Sequence, residues 1–397
     1  MNVPRLRFPA FSDEWAHEKL GNICGFSQGI QVDLELQINE AKEGYVKFLR
    51  IENYTQNSFD FRFIPIELSS NKYITSKEIV VVRYGATAGY ISRGFDGVLA
   101  NNLFRIHPET KILDNDFLFE YLKREQVFKY FQTVMFGGAM PALSFSIVRS
   151  LELHYPRQLP EQTKIANFLT AIDEKITQFT QKCDLLAQYK KGVMQQIFSQ
   201  KLRFKDNDGQ EFPAWEESVL GDAFEYRNGK SFENEISDNG DFFLITLNSI
   251  DISGKLKTDH KRVSQTDFSL IKDDLVMILS DVAHGNFLGL TDIIPSDKYV
   301  LNQRVGGLRA KINIDVRFAS FYINYNQKYF KLYGQGSSQQ NLSKSDVLNF
   351  SFPLPHIHEQ TKIANFLTAI DDKITQAQTQ LEAVKRYKKG LLQQLFV

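Results

Sequence analysis

Apolar residues recur at alternating spacings of four and three in two distant stretches of the chain. Ile165, Leu169, Ile172, Ile176, Phe179, Cys183 and Leu186 form one series. Ile363, Leu367, Ile370, Ile374, Ala377, Leu381 and Val384 form the other. Such spacing averages about 3.5, the period of a coiled-coil seam. No proline interrupts either run. Pro160 falls in a first helical turn, where its missing N–H costs nothing, and Glu161 suits the positive end of the helix dipole. Two helices of about 35 residues, roughly 50 Å each, are expected. The pattern weakens at Lys190 and Lys388, and Gly192 and Gly390 each cost about 1 kcal/mol inside a helix. The helices therefore end or bend near there. Their seams can satisfy one another as an antiparallel pair, with the intervening domains at opposite ends. The alternative is two ordinary amphipathic helices, each packed on its own domain.

Outside these runs the pattern changes. Ile79–Ser92, IVVVRYGATAGYIS, reads as a β-branched strand, a glycine-rich turn and a second strand. Leu275–Ile294, LVMILSDVAHGNFLGLTDII, holds the comparable place later on. LFEYLKREQVFKYFQTVM and FASFYINYNQKYFKLYG have amphipathic helical spacing. Small-residue loops, FGGAMPALS and YGQGSSQQNLS, precede the two long helices. Both intervening regions are thus expected to be mixed α and β.

The helical stretches are a repeat. Residues 161–178 read EQTKIANFLTAIDEKITQ and residues 359–376 read EQTKIANFLTAIDDKITQ, differing only at Glu174 and Asp372. The register holds to YKKGVMQQIF and YKKGLLQQLF. The lead-ins correspond more loosely: Trp15, Leu20 and Gly21 match Trp215, Leu220 and Gly221. Between them only faint echoes survive, VLANNLFR against VLNQRVGG and ALSFSIV against NLSKSDV. A fixed frame around diverged interiors implies that both frames serve one partner or geometry while each interior recognises something different. Gene conversion confined to the short segment is the plainer alternative. The expected architecture is mixed α/β with a pseudo-two-fold internal repeat: domains at 1–158 and 201–356, and long helices at 159–200 and 357–397.

Several repeated residues lie off the seam. Gln162, Lys164, Asn167 and Lys175, with Gln360, Lys362, Asn365 and Lys373, are not all required by helix stability, and Asn is a mediocre helix former. They are read as a docking face presented twice, for two copies of one partner.

Composition adds bounds. The 397 residues are ordinary for a soluble globular chain, with 47 Lys and Arg against 47 Asp and Glu. Zero net charge weighs mildly against a simple nucleic-acid binder, though local patches matter more than the sum. Cys24 and Cys183 make neither a disulfide framework nor a zinc site, and Cys183, on an apolar helical position, reads as buried. No signal peptide or membrane-spanning run is found, so a cytoplasmic location without membrane contact is expected. No phosphate loop, HExxH, GxSxG or dinucleotide fingerprint occurs, and neither a catalytic nor a metal site is assigned. The interiors instead carry groups that read base edges or grip phosphates. These are Arg83, Tyr84, Thr87, Arg93, Asn101, Asn102 and Arg105 in the first. In the second they are Ser280, His284, Asn286, Asn302, Gln303, Arg304, Ser338, Gln339 and Gln340. Arg matches guanine, and Asn or Gln matches adenine, in bidentate geometry.

The paired EQxKIAxFLxxID helices with LRF…W…LG lead-ins resemble the specificity subunit of Type I restriction–modification enzymes, across essentially the whole chain. That resemblance implies two target-recognition domains, each reading half of a split asymmetric site in double-stranded DNA. It implies spacer helices that fix the gap and recruit two methyltransferase subunits. No cofactor is implied in this chain. S-adenosylmethionine would serve the methyltransferase subunits, and ATP and Mg the motor and nuclease subunits that join them. A scaffold binding two different proteins, or an enzyme with divergent active sites in the interiors, are the competing readings.

Overall fold

A computed structural model describes residues 4–69, 72–135, 142–282, 285–336 and 339–396. The chain forms two compact units, the first made of two segments and the second of one. One comprises Met1–Thr180 with Thr379–Val397, the other Gln181–Gln378. The first long helix, Leu159–Phe198, and the second, Ile357–Leu395, therefore each divide near their middle between the two units. Both continue past Gly192 and Gly390 and end a few residues later, at Phe198 and Leu395. The penalty of an isolated glycine is small beside the packing of Val193, Met194 and Ile197 in one unit and Leu391, Leu395 and Phe396 in the other, all buried. Asp173 pairs with Lys388 at 2.6 Å and Lys190 with Asp371 at 2.5 Å. The partner's number falls as the first helix's rises, so the helices are antiparallel. Cys183, expected to be buried, is half-buried.

In the first unit, Ala16–Lys19 pairs with Glu152–Tyr155, tying the lead-in to the segment that enters the helix. A four-stranded antiparallel sheet has the order Cys24–Gln28, Leu103–Pro108, Ile79–Val82, Ile91–Ser92. A second sheet has the order Arg62–Pro65, Tyr45–Leu49, Gly97–Leu99, Tyr73–Ile74, with one parallel pairing, Phe48 beside Val98. The expected helical stretch is two helices, Asn115–Leu122 and Glu125–Met135. The main core gathers Trp15, Phe104, Phe117 and Phe131 with Ile165, Leu169 and Phe396.

The second unit repeats this plan through different residues. Phe224–Asn228, Val305–Ala310, Leu275–Ile278 and Thr291–Ile293 form the matching antiparallel sheet. Arg262–Val263, Phe242–Ile245 and Tyr299–Leu301 form the smaller sheet, again with one parallel pairing, Phe243 beside Tyr299. Val316–Tyr325 and Gln327–Tyr333 are its helices. The diverged interiors thus share the order of their main sheet, and its central strands, Ile79–Val82 and Leu275–Ile278, are buried along their whole length in both units.

The repeated phrase gains its physical meaning here. Glu161 is buried and takes a bidentate bond from Arg7 at 2.7 and 2.8 Å; Glu359 takes the same from Arg203 at 3.1 and 2.6 Å. Gln162 accepts from the Asp114 amide at 2.7 Å and donates to the Ile112 and Pro156 carbonyls. Gln360 accepts from the Asp315 amide at 3.0 Å and donates to Pro355. Asp114 and Asp315 in turn cap the helices at Asn115–Leu122 and Val316–Tyr325. Phe8 meets Phe168 edge-on at 5.9 Å, and Phe204 meets Phe366 at 5.6 Å. Each EQ…F phrase therefore clamps a lead-in arginine and phenylalanine and a helix cap to the long helix.

Candidate nucleic-acid interface

Three chain segments converge at one edge of each main sheet, held by backbone bonds that recur in both units. In the first, the Arg83 amide donates to the Asn102 carbonyl at 2.9 Å and the Leu143 amide to the Arg83 carbonyl at 2.8 Å. In the second, the Leu279 amide donates to the Arg304 carbonyl at 3.1 Å and the Leu342 amide to the Leu279 carbonyl at 2.8 Å. Both frames need a glycine where strands cross closely. A Cβ on Gly29 would lie 2.1 Å from the Ala100 carbonyl oxygen, and one on Gly229 1.9 Å from that of Asn302. The side chains carried by these frames differ almost completely.

The first frame brings Arg83, Tyr84, Asn101 and Asn102 together. Arg83, half-buried, lies over the rings of exposed Tyr84 at 4.9 Å and of Phe145 at 5.5 Å, forming cation–aromatic pairs. Asn101 bonds Gln31. The Asn102 side-chain oxygen is buried without a partner among the described residues. Thr87 is half-buried in the glycine turn, its carbonyl accepting from Tyr90. Two arginines are already engaged within the unit. Arg93 pairs with Asp116 and stacks on Phe119, and Arg105 bonds Glu78 at 2.7 Å.

The second frame brings Gln303 and Arg304 to the surface beside Asn302. Asn302 is buried and accepts from the Phe232 amide at 3.3 Å, a bond that fixes the turn. Ser280 is likewise buried, bonded to Asn341 at 2.7 Å and approached by the Gln339 amide. Gln339 and Gln340 lie half-buried on a short strand, Gln339–Asn341, that pairs with Ser280–Val282. Asn286 is exposed, its carbonyl taken by Gln327. His284 and Ser338 lie outside the described residues. A groove of about 610 Å³ opens beside Gln303 and Arg304, and Glu233, Asn248 and Lys261 also line it. Sequence reasoning missed these three. They lie in Gly229–Val263, where the halves share no readable pattern.

On the helices, Lys164, Asn167, Lys175, Asn365 and Lys373 are exposed and Lys362 is half-buried. Lys362 donates to the Lys205 carbonyl at 2.6 Å, and Asn365 accepts from Arg317 at 2.8 Å. Gln162 and Gln360 must be removed from the expected docking face, because both are buried and their amides are consumed by the caps described above. Among the described residues, no helix is long and apolar enough to cross a membrane.

Both units thus carry the same backbone frame with different side chains at its edge. The family model of the Type I restriction modification DNA specificity domain matches residues 12–186 and again 214–386, and the chain belongs to that family. It is similar to the Type I restriction enzyme MjaVIII specificity subunit of Methanocaldococcus jannaschii, 27% identical over 98% of this chain and 92% of that protein. It is also similar to the MjaIX specificity subunit of the same organism, 22% identical over 81% and 77%. In fold it matches the crystal structure of the S subunit of a Type I restriction–modification system from M. genitalium. There the TM-score is 0.65 at 19% identity, with 100% of this chain and 99% of that chain covered. A chain from a structural study of complex assembly and conformational transition in a type I R-M system aligns with TM-score 0.56 at 16% identity, covering 96% and 97%.

Proposed function

We propose that this chain is the non-catalytic reader of a Type I restriction–modification complex, each unit recognising one half of a split, asymmetric site in double-stranded DNA. The observation that carries this reading is the repeated backbone frame. The same bonds hold Arg83 and Asn102 in one unit and Leu279 and Arg304 in the other, so the scaffold stays constant while the chemistry at its edge changes. Direct readout needs this arrangement, because base identity is read by side chains whose position is fixed elsewhere.

The antiparallel helices set the interval between half-sites. The exposed repeated residues, Lys164, Asn167 and Lys175 with Lys362, Asn365 and Lys373, dock two copies of a methyltransferase subunit. Those subunits bind S-adenosylmethionine and methylate adenine, and motor and nuclease subunits using ATP and Mg complete the assembly. The zero net charge of this chain fits a reader whose partners supply part of the phosphate grip. Co-expression with the cognate methyltransferase subunit, followed by mapping of N6-methyladenine, tests the reading. One split motif with one adenine modified in each half is expected. A continuous motif, or no motif from a stable complex, overturns it.

A further inference from the structure

Arg304 stands apart from the other candidate readers. Its backbone is left-handed, with φ of 70°, a conformation that an arginine adopts only at a cost in free energy. The surroundings impose it. The Gln303 amide donates to the Lys230 carbonyl at 2.9 Å, the Asn302 amide to Ile245 at 3.0 Å, and the Arg304 carbonyl receives Leu279. The turn is pinned on both sides of the residue, yet its side chain is exposed at the groove and has no bonding partner among the described residues. Arg83, Arg93 and Arg105 are by contrast committed to rings or carboxylates. Glycine or asparagine would occupy this backbone more readily, so fold stability does not account for the arginine.

We infer that Arg304 is the specificity-determining residue of the second unit, and that it reads a guanine through its O6 and N7 in the half-site that unit contacts. This rests on the function proposed above. A rigid turn that projects a free guanidinium supplies the fork that guanine's two acceptors require. Gln303, Asn248 and Lys261 around the groove supply neighbouring base and phosphate contacts.

The test uses the complex with its methyltransferase subunit, carrying wild-type chain, Arg304→Gly or Arg304→Lys, and maps the methylated motif on a randomised DNA library. In the wild-type motif, one position in one half should be guanine. Both variants should relax that position by roughly 5- to 150-fold, the range of one bidentate contact, and leave the other half unchanged. Lysine keeps the charge but not the fork, so it separates base reading from phosphate attraction. Glycine relieves the backbone, so Arg304→Gly should unfold no more readily than wild type. Replacing that guanine by 7-deazaguanine, which lacks N7, should weaken wild-type methylation and leave Arg304→Gly indifferent. An unchanged motif in Arg304→Gly, or equal loss across both halves, overturns the inference. Failure of the wild-type complex to yield a split motif overturns the underlying function instead.

Discussion

Single residues divide into those that hold the frame and those that face outward. Gln162 holds it: three bonds converge on one buried amide. Gln162→Ala strands the Asp114 amide and two carbonyls, and should cost about 2–3 kcal/mol. Lys175→Ala, on the exposed face, should change stability by less than about 0.5 kcal/mol while weakening methyltransferase binding. Urea unfolding of both variants, with a pull-down by the partner, separates the roles; a marginally destabilised Gln162→Ala would remove the clamp from the account. Arg304→Gly should gain about 1 kcal/mol by relieving the left-handed backbone. These distinctions were only half legible in the sequence. Repetition marked Gln162 and Lys175 equally, and nothing in their spacing says that one points at a cap and the other at solvent. Arg304 was visible as a candidate but not as a strained one, since a positive φ at arginine is imposed by long-range bonds. The aspartate caps, Asp114 and Asp315, had no repeated neighbours to draw notice.

At the scale of elements, the long helices were the most legible part of the chain, because a seam of apolar residues at fixed period is written directly in residue order. The glycines lie within two turns of the helix ends, and the helices continue past them because the residues that follow are buried. The strand at Ile79 was legible through β-branching and the one at Leu275 through its comparable place in the second half, whereas the second sheet of each unit was not legible, since its pairings span many residues of sequence. The helix pair carries a pH-dependent element. Burial draws the Asp173 carboxyl upward, but Lys388 and Lys123 together outweigh it and hold it below its ordinary value. A depressed carboxylate stabilises the fold above the unfolded value, near 4, and that contribution disappears as pH falls through the lower folded value. Asp173→Asn should therefore cost about 1 kcal/mol at pH 7, a modest figure for a partly exposed group. The difference from wild type should shrink below about pH 4. Urea midpoints measured from pH 7 to pH 2.5 check this; a constant difference over that range would contradict it. The thiol of Cys24, pushed up to about 12 by burial, stays protonated throughout.

For the whole molecule, the internal repeat announced two equivalent halves, and the fold honours it even where identity has vanished. Proposed as a ruler, the helix pair makes its own prediction. Deleting four residues within Gln178–Tyr189 removes about one helical turn, near 6 Å at about 1.5 Å per residue. The interval in the methylated motif should shorten, or methylation should be lost. An unaltered interval at full activity would exclude the helices as the determinant of spacing.

The division of each helix between units has a further consequence, for the order in which the protein can be built. Residues 379–396 belong to the first unit, where Phe396 meets Phe117 and Tyr121 and Lys388 meets Asp173. During synthesis, residues 1–180 emerge and must wait for the whole of Gln181–Gln378, 198 residues, before that closing segment exists. At about 5–20 residues per second the delay is roughly 10–40 s. Throughout it, a greasy face on the nascent first unit has no cover within its own half of the polypeptide. The second unit, continuous in sequence, faces no such delay. Quality control during translation should therefore bear on the half made first, and a nascent chain halted before residue 379 should be the species that chaperones hold.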